Sequence, residues 1–390
     1  MRVCHIWHSF IPIDFGGVER YILSLSDFLS TEKNVDFTLI TDRAAYVSFL
    51  CSLRLAGYQR INSLNVRRIG PNLSSILNSA NIKFLHRSQN ALSEMLTTNL
   101  YRQALKTPGI EKVDVFHVHG FWQPLYPKIG LRLSKRFNRP FVVTLHGDSI
   151  DPKDRFSMPL RNLATLEVLR EAGAITTFAK ETFNALGELG LGKKSYLIPN
   201  FINSGLFKRP DWIKNNSGTK IVIISRLSKP KDPITPIRAF ALVKKEIPEA
   251  TLQIVGYGPL FEYANRLVHD LGLDGSVTFV GMQSNVRKFM WDSDIIVGTR
   301  GSYITTLEAW AAGIVVVAPR FGIMKEIISD GETGFLTTPE NIKELAAVLL
   351  NLIRNKTLRE RIASNALYAV EKHDINKIGP VIYNLYRSLI

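Results

Sequence analysis

Short apolar runs alternate with longer helical patterns along the whole chain, and they do so twice over. In the first half the expected strands are Val3 to His8, Phe37 to Thr41, Val113 to His119, Phe141 to His146, Ala174 to Thr177 and Ser195 to Pro199. In the second half they are Ile221 to Ser225, Leu252 to Gly256, Val277 to Gly281, Ile295 to Gly298 and Ile314 to Ala318. Runs that are apolar on both faces suit a parallel sheet covered by helices. Strands separated by helices predict a doubly wound α/β architecture, and two sets predict two Rossmann-like domains. Turn residues cluster at Asn203-Ser204-Gly205, Pro210 and Asn215-Asn216-Ser217-Gly218, which sets the expected break near 203–218. The expected domains are 1–202 and 203–374, followed by a closing helix over 375–390. Ligands of such sheets bind at the carboxyl ends of the strands, so two facing domains are expected to share a cleft.

At 390 residues the chain is long enough for two ordinary domains. Its two cysteines, Cys4 and Cys51, are too few for a disulfide framework and match no metal spacing, which points to a reducing compartment. The first residues read as a strand rather than a signal peptide. No uninterrupted apolar stretch reaches the roughly 18 residues of a membrane span. The expected location is therefore the cytoplasm. The formal net charge of +15 favours anionic partners. No nucleic-acid-binding signature is present, so nucleic acid is not expected as a partner. Between Gln59 and Lys106, cations such as Arg60, Arg67, Arg68, Lys83, Arg87 and Arg102 interleave with Ile61, Leu64, Ile76, Leu77, Ile82 and Phe84. This stretch reads either as a basic amphipathic surface meeting the cytoplasmic membrane face or as an ordinary pair of surface helices with solvated cations.

The second half concentrates the chemistry. Ser225-Arg226-Leu227 ends a strand and Lys231 follows five positions after Arg226. Then come Ile254-Val255-Gly256-Tyr257-Gly258-Pro259, Thr306-Leu307-Glu308-Ala309-Trp310-Ala311-Ala312-Gly313 and Asp330-Gly331-Glu332-Thr333-Gly334-Phe335. In order and spacing these segments resemble the donor-binding half of family 4 glycosyltransferases. The match is strong from about Ser195 to Phe335 and looser before that. The resemblance implies a GT-B fold and a nucleoside diphosphate sugar as co-substrate. It also implies transfer of the sugar to a hydroxyl acceptor with retention of configuration, and no metal requirement.

It implies residue roles as well. Arg226 and Lys231 would contact the donor diphosphate, where arginine can bind two oxygens and lysine adds a point charge. Glu308 would bond the ribose hydroxyls. The backbone amides of Ile304, Thr305 and Thr306, at the expected start of the helix carrying Glu308, would meet phosphate. Gly256 allows close approach of backbone to nucleotide or to a neighbouring loop. One position departs from the family. Arg300 stands eight residues before Glu308, where a glutamate is usual, and Tyr303 replaces a second glycine after Gly301. Arg300 is expected either to recognise a donor sugar bearing a negative group or to add a third cation to the diphosphate. Tyr303 is expected to send the loop along another path.

In the first half Gly16 and Gly17 open a helix after the first strand and a Pro12 loop, where the resemblance implies a glycine-rich turn close to the donor phosphates and the acceptor, and glycine lets backbone amides come near an anion. The spacing is not that of a dinucleotide fingerprint, which argues against a Rossmann oxidoreductase. His146, in Thr144-Leu145-His146-Gly147-Asp148, resembles the family histidine beside the reacting sugar and is expected to orient it or the acceptor. His119 is expected to line the acceptor pocket. His117 is expected to be structural, turned to the opposite side from His119. Asp292-Ser293-Asp294 reads as a helix-to-strand turn and not as a metal loop. The acceptor is expected to be a glycan, a lipid-linked glycan or a small molecule. The competing reading is a GT-B protein without activity that binds a nucleotide or glycan.

Overall fold

β-Branched residues dominate the buried strands and mark which segments are extended. The structure, a computed structural model, describes residues 1–8, 10, 16–42, 57–70, 88–120, 125–147, 163–211, 220–283 and 285–390, with backbone only for 88–93 and 163–164. Pro12, Cys51, Asp148, the linker residues 215–218 and the segment 71–87 from the basic stretch lie outside the described residues. The chain divides into two compact units, 1–199 with 375–390, and 200–374.

The first unit carries β1 (Arg2–Ile6), β2 (Asp36–Asp42), β3 (Tyr58–Ile61), β4 (Leu64–Ile69), β5 (Val115–His119), β6 (Phe141–Leu145), β7 (Ala174–Thr177) and β8 (Ser195–Leu197). Among the described residues they form one sheet in the order β3-β4-β2-β1-β5-β6-β7-β8. All pairings are parallel except β3 with β4. Its helices are α1 (Gly17–Lys33), α2 (Ser88–Ala104), α3 (Leu125–Phe137), α4 (Leu163–Glu171), α5 (Lys180–Glu188) and, from the far end of the chain, the closing helix Ile375–Leu389. Period two sorts the central strands. Ile6, Phe116, Val118, Val143, Leu145 and Ile175 point to one face and pack with Ile129 and Leu133 of α3, Leu100 of α2, Leu169 of α4 and Leu186 of α5. Each such buried side chain contributes about 1.5–3 kcal/mol. Gly130 lets α3 lie on this face, since a Cβ there would sit 2.4 Å from Val118 Cγ2.

The opposite face departs from the expected apolar pattern. It carries His5, His117, His119, Thr144 and Thr176, all buried. The closing helix covers part of it, with the Tyr386 hydroxyl 2.6 Å from His117 Nδ1. That helix approaches α1 closely because Gly379 leaves room for the Phe28 ring, 2.4 Å from where a Cβ would stand.

Of the two readings of the stretch from Gln59, the helix pair does not hold for its described part, which is an antiparallel β3–β4 hairpin over 58–69 and the helix α2 from Ser88. Arg60, Arg67 and Arg68 are strand residues, and Arg68 is fully buried rather than solvated. The alternation Leu64-Asn65-Val66 carries a period of two that the surrounding cations obscure.

The second unit holds β9 (Lys220–Ile224), β10 (Thr251–Val255), β11 (Val277–Gly281), β12 (Ile295–Val297), β13 (Val315–Pro319) and β14 (Phe335–Thr337), ordered β11-β10-β9-β12-β13-β14 and all parallel. Its helices are α6 (Ile234–Glu246), α7 (Phe261–Asp270), α8 (Arg287–Trp291), α9 (Tyr303–Ala311), α10 (Met324–Ile327), α11 (Ile342–Arg354) and α12 (Lys356–Val370), so that Ile375–Leu389 is α13. β14 was not expected from the sequence, because three residues are too few to show a period. From β9 the chain builds outward to β10 and β11, then crosses to β12 on the other side. That reversal is the topological switch point where such sheets bind ligands, at the strand carboxyl ends. In the first sheet the same reversal lies between β1 and β5. Among the described residues no helix is long and apolar enough to cross a membrane.

Candidate functional site

At the switch point of the second sheet, the loops after β9 and β12 are tied together. Ser225 Oγ and Thr299 Oγ1 are 2.9 Å apart. Lys231, at the end of a short 3-10 turn, donates from Nζ to the carbonyl of Arg300 at 2.8 Å and of Gly301 at 3.3 Å. Arg226 is exposed in the first of these loops. Its backbone is held from behind by two glycines. A Cβ on Gly256 would sit 1.9 Å from the Ser225 carbonyl oxygen, and one on Gly258 2.4 Å from that of Leu227. Gly256 also adopts φ +142°, a conformation that side chains resist. Of the two uses expected for Gly256, the close approach is to a neighbouring loop, and it sets where Arg226 stands.

The loop after β12 explains the departure at Tyr303. Gly301 has φ +65° and needs to be glycine. Tyr303 is already the first residue of α9, where helical angles suit any side chain, so no detour is needed. Its ring is buried against His373, with the hydroxyl 3.3 Å from His373 Nδ1. Because α9 starts at Tyr303, its first-turn amides are those of Tyr303, Ile304 and Thr305. The Thr306 amide bonds the Ser302 carbonyl at 2.8 Å and drops out of the expected set. No side chain caps this helix start, which leaves it suited to an anion. Glu308 lies in the second turn, not the first, and is 1% exposed. A solvated first-turn carboxylate is thereby ruled out. The helix ends as expected at Gly313, φ +68°, with the Ile314 amide bonding Ala309 O at 3.0 Å.

Arg300 does not stand alone. Its guanidinium pairs with Glu340 at 3.0 Å and lies 4.9 Å over the Phe321 ring. Glu340 is itself held at φ +65°, unusual for a residue with a side chain. A small cavity of about 30 Å³, room enough for ordered water, is lined by Lys231, Thr299, Arg300 and Glu340 among others. Asp292 and Asp294 serve the fold. Lys220 Nζ donates to Asp292 at 2.8 Å and the Lys220 amide to Asp294 at 2.9 Å.

In the first unit, β1, β5 and β6 bring four histidines together. His117 and His119 share a face, with ring centroids 4.2 Å apart. The expectation that they face opposite sides fails because residues two apart on a strand point the same way. His117 is nonetheless structural in its bonding: Nδ1 meets Tyr386 and Nε2 meets Thr144 Oγ1, both at 2.6 Å. His119 meets His146 Nε2 through Nδ1 at 3.0 Å and His5 Nδ1 through Nε2 at 2.8 Å. His5 gave no signal of its own in the sequence; only its register opposite His117 could have pointed to it. Burial lowers the pKa of His5 and of His146 to about 3, and holds His117 and His119 well below the usual range. One ring nitrogen each of His5, His117 and His119 lies within 4.8 Å of the others, a distance that a metal could span. Both nitrogens of His117 and of His119 are already hydrogen-bonded, so an ion would have to break those bonds.

Gly16 caps α1, and its amide donates to the Glu19 carboxylate at 2.7 Å; Trp7 Nε1 donates to the same carboxylate at 2.6 Å. Glu19 is buried and supplies the anion at this helix start. A Cβ on Gly16 would lie 2.9 Å from Glu19 Oε2, so a larger residue there would push the carboxylate aside. Gly17, exposed, is the first helical residue.

The family described as Glycosyltransferase Family 4 matches residues 15–205, and that described as Glycosyl transferases group 1 matches residues 206–367. The N-acetyl-alpha-D-glucosaminyl L-malate synthase of Bacillus anthracis is 28% identical over 300 residues, covering 72% of this chain and 76% of that protein. The phosphatidyl-myo-inositol mannosyltransferase of Mycobacterium leprae is 24% identical over 291 residues, 71% of this chain and 74% of that one. The structure of Anabaena HepE in complex with UDP and glucose has the same fold, with a TM-score of 0.75 at 21% identity over the full length of both chains.

Proposed function

The chain belongs to the group 1/family 4 glycosyltransferases, enzymes of the GT-B fold that use a nucleotide-sugar donor, and we propose that it moves the sugar to a hydroxyl of a lipid or glycan acceptor with retention of configuration. The observation that carries this reading is the convergence at the second switch point. The loops bearing Arg226 and Lys231, the uncapped start of α9 and buried Glu308 all belong to the strand ends of one sheet. In the proposed reaction the bond from the sugar carbon to the β-phosphate oxygen breaks and its electron pair leaves with the diphosphate. The acceptor oxygen bonds that carbon from the same face, and its proton passes to the departing phosphate. Arg226, Lys231 and the amides of Ile304 and Thr305 offset the charge that grows on the diphosphate, which is the work a metal does elsewhere. Glu308 accepts from the ribose hydroxyls. His146, with His119 behind it, orients the acceptor or the reacting sugar. Gly17 remains the proposed first-unit contact to phosphate, whereas the Gly16 amide is engaged by Glu19.

A panel of nucleoside diphosphates and their sugars, read by calorimetry and by product release, tests this. Uridine compounds come first, because the HepE structure holds UDP. Failure to bind any of them would overturn the proposal. Binding without turnover on any acceptor, membrane extract included, would favour the inactive binding protein.

Arg300 supports a narrower reading, a donor sugar carrying a carboxylate. Its present partner Glu340 is 71% exposed, and an exposed pair of this kind is worth at most about 1 kcal/mol. A donor carboxylate can displace it. Glu340→Gln should raise affinity for a uronic-acid donor by up to about fivefold, and Arg300→Ala should lower it by about tenfold or more while sparing neutral donors. Tight binding of neutral donors alone, indifferent to both changes, would sink the carboxylate reading.

An anionic membrane surface is the proposed second partner. Arg102, Arg132, Lys135 and Arg136 surround an open hollow between α2 and α3 that the half-buried Tyr101 and Leu105 also line. Arg132 is paired with Glu94 and Lys135 with Glu171, whereas Arg102 and Arg136 have no acidic partner among the described residues. Each cation near an anionic bilayer contributes about 1 kcal/mol. The double variant R102A/R136A should therefore pellet about 30-fold less well with phosphatidylglycerol vesicles. Equal pelleting of variant and parent would remove this face from consideration.

A further inference from the structure

Three imidazoles in the first unit form a single hydrogen-bonded row: His146 Nε2 to His119 Nδ1 at 3.0 Å, then His119 Nε2 to His5 Nδ1 at 2.8 Å. The row has one end at the strand terminus and one in the core. At the outer end His146 is partly exposed, and no hydrogen bond to its Nδ1 occurs among the described residues. At the inner end His5 is fully buried, its ring stacked on Phe37 at 5.1 Å and 2°, and its Nε2 has no hydrogen-bond partner among the described residues. The second chain, Tyr386–His117–Thr144–Thr176, is separately satisfied and offers His5 nothing. Tyr21 packs edge-on against His119 and His146, at 5.7 and 5.1 Å, and holds the two rings in place.

A neutral imidazole has one N–H and one bare nitrogen. Burial keeps all three rings neutral near pH 7, so each hydrogen bond needs one of each, and the three tautomers are locked in step. Only two arrangements satisfy both bonds. In the first, every ring carries its proton on Nδ1: His5 donates to His119, His119 donates to His146, and the unpartnered atom in the core is a bare nitrogen. In the second, every proton is on Nε2, and the unpartnered group in the core is an N–H. Folded proteins tolerate a buried unfilled acceptor better than a buried unfilled donor. The first arrangement is therefore favoured.

We propose that this row fixes His146 with its proton on Nδ1, so that it offers its ligand a hydrogen-bond donor rather than a base, and that His5 is the positioning residue that sets the direction. That the ligand is a sugar or acceptor oxygen rests on the transferase reading; the tautomer itself does not. A donor at this position selects a ligand oxygen with a free lone pair, such as a hydroxyl or carboxylate oxygen. It also leaves deprotonation of the acceptor to the departing diphosphate.

Nitrogen-15 NMR of the full chain, labelled in histidine and without substrate, reads each tautomer directly. At pH 7 His5, His119 and His146 should each show a protonated Nδ1 and a bare Nε2. His5→Phe keeps the stack on Phe37 and leaves a bare nitrogen on His119 as the buried end, so the direction should persist. His5→Met offers a thioether, an acceptor with no donor, and should invert His119 and His146 to the Nε2–H form. A wild-type His146 protonated on Nε2, or averaged between forms, overturns the proposal even if neither variant folds. Identical tautomers in the Phe and Met variants overturn the role of His5. Neither result depends on whether a donor sugar binds, so failure here is separable from failure of the transferase reading.

Discussion

Lowering the pH from 7 to about 4.5 should unfold the first unit, and the cause is its buried histidines. His5 is depressed to about 3 and His8 to about 4, with His117 and His119 held well below the usual range, each first of all by burial. A neutral histidine buried in the folded state and free to protonate in the unfolded one binds more protons when unfolded. Its contribution is thus fully present above the unfolded value near 6.5 and is lost as the pH falls toward the folded value. Each loses about 1.4 kcal/mol per pH unit over that window. Four of them together reach the scale of a domain's entire stability, about 5–15 kcal/mol. Thermal melts from pH 7.5 to 4 test it. Tm should fall steeply below pH 6, and His5→Phe should flatten the fall. A Tm constant between pH 7 and 4.5 would mean that these rings are not buried neutral.

Removing Arg226 should cost about 10²–10³-fold in kcat, the usual consequence of deleting one preorganised charge from a developing anion. Lys231→Ala should cost at least as much, because it also frees the carbonyls of Arg300 and Gly301. The pair act on one diphosphate, so the double variant should lose less than the product of the two. Arg226→Lys separates charge from geometry. It keeps the cation and loses the two-pronged contact, and should recover only part of the rate. Unchanged turnover in Arg226→Ala would refute the site at the second switch point, since no other exposed arginine stands in that strand-end loop.

Much of this was legible in the amino-acid order. Consecutive β-branched runs such as Ile221 to Ile224 and Val315 to Val317 named their strands, because a strand buried on both faces must be apolar throughout. Gly313 announced the end of α9, and the Arg226, Lys231 and Glu308 spacing announced a nucleotide-sugar family. These are local signals, carried within a turn or a strand. β3 and β4 escaped because Arg67 and Arg68 stand side by side, one on each face of β4, and break the apolar alternation after Val66. His117 and His119 were separated by a misapplied alternation, although two residues on a strand return to the same side.

What tertiary structure alone decided concerns partners distant in sequence. Glu19 accepts from Trp7, twelve positions away, so the first helix start carries an internal anion. Arg300 meets Glu340 forty residues away. His5 joins His119 across 114 positions because β1 and β5 are neighbours in the sheet. Local order dictates backbone torsion and the side of a strand or helix that a residue occupies. Which residue it then meets depends on strand order and register, set by how whole elements pack, and no short window of sequence contains that.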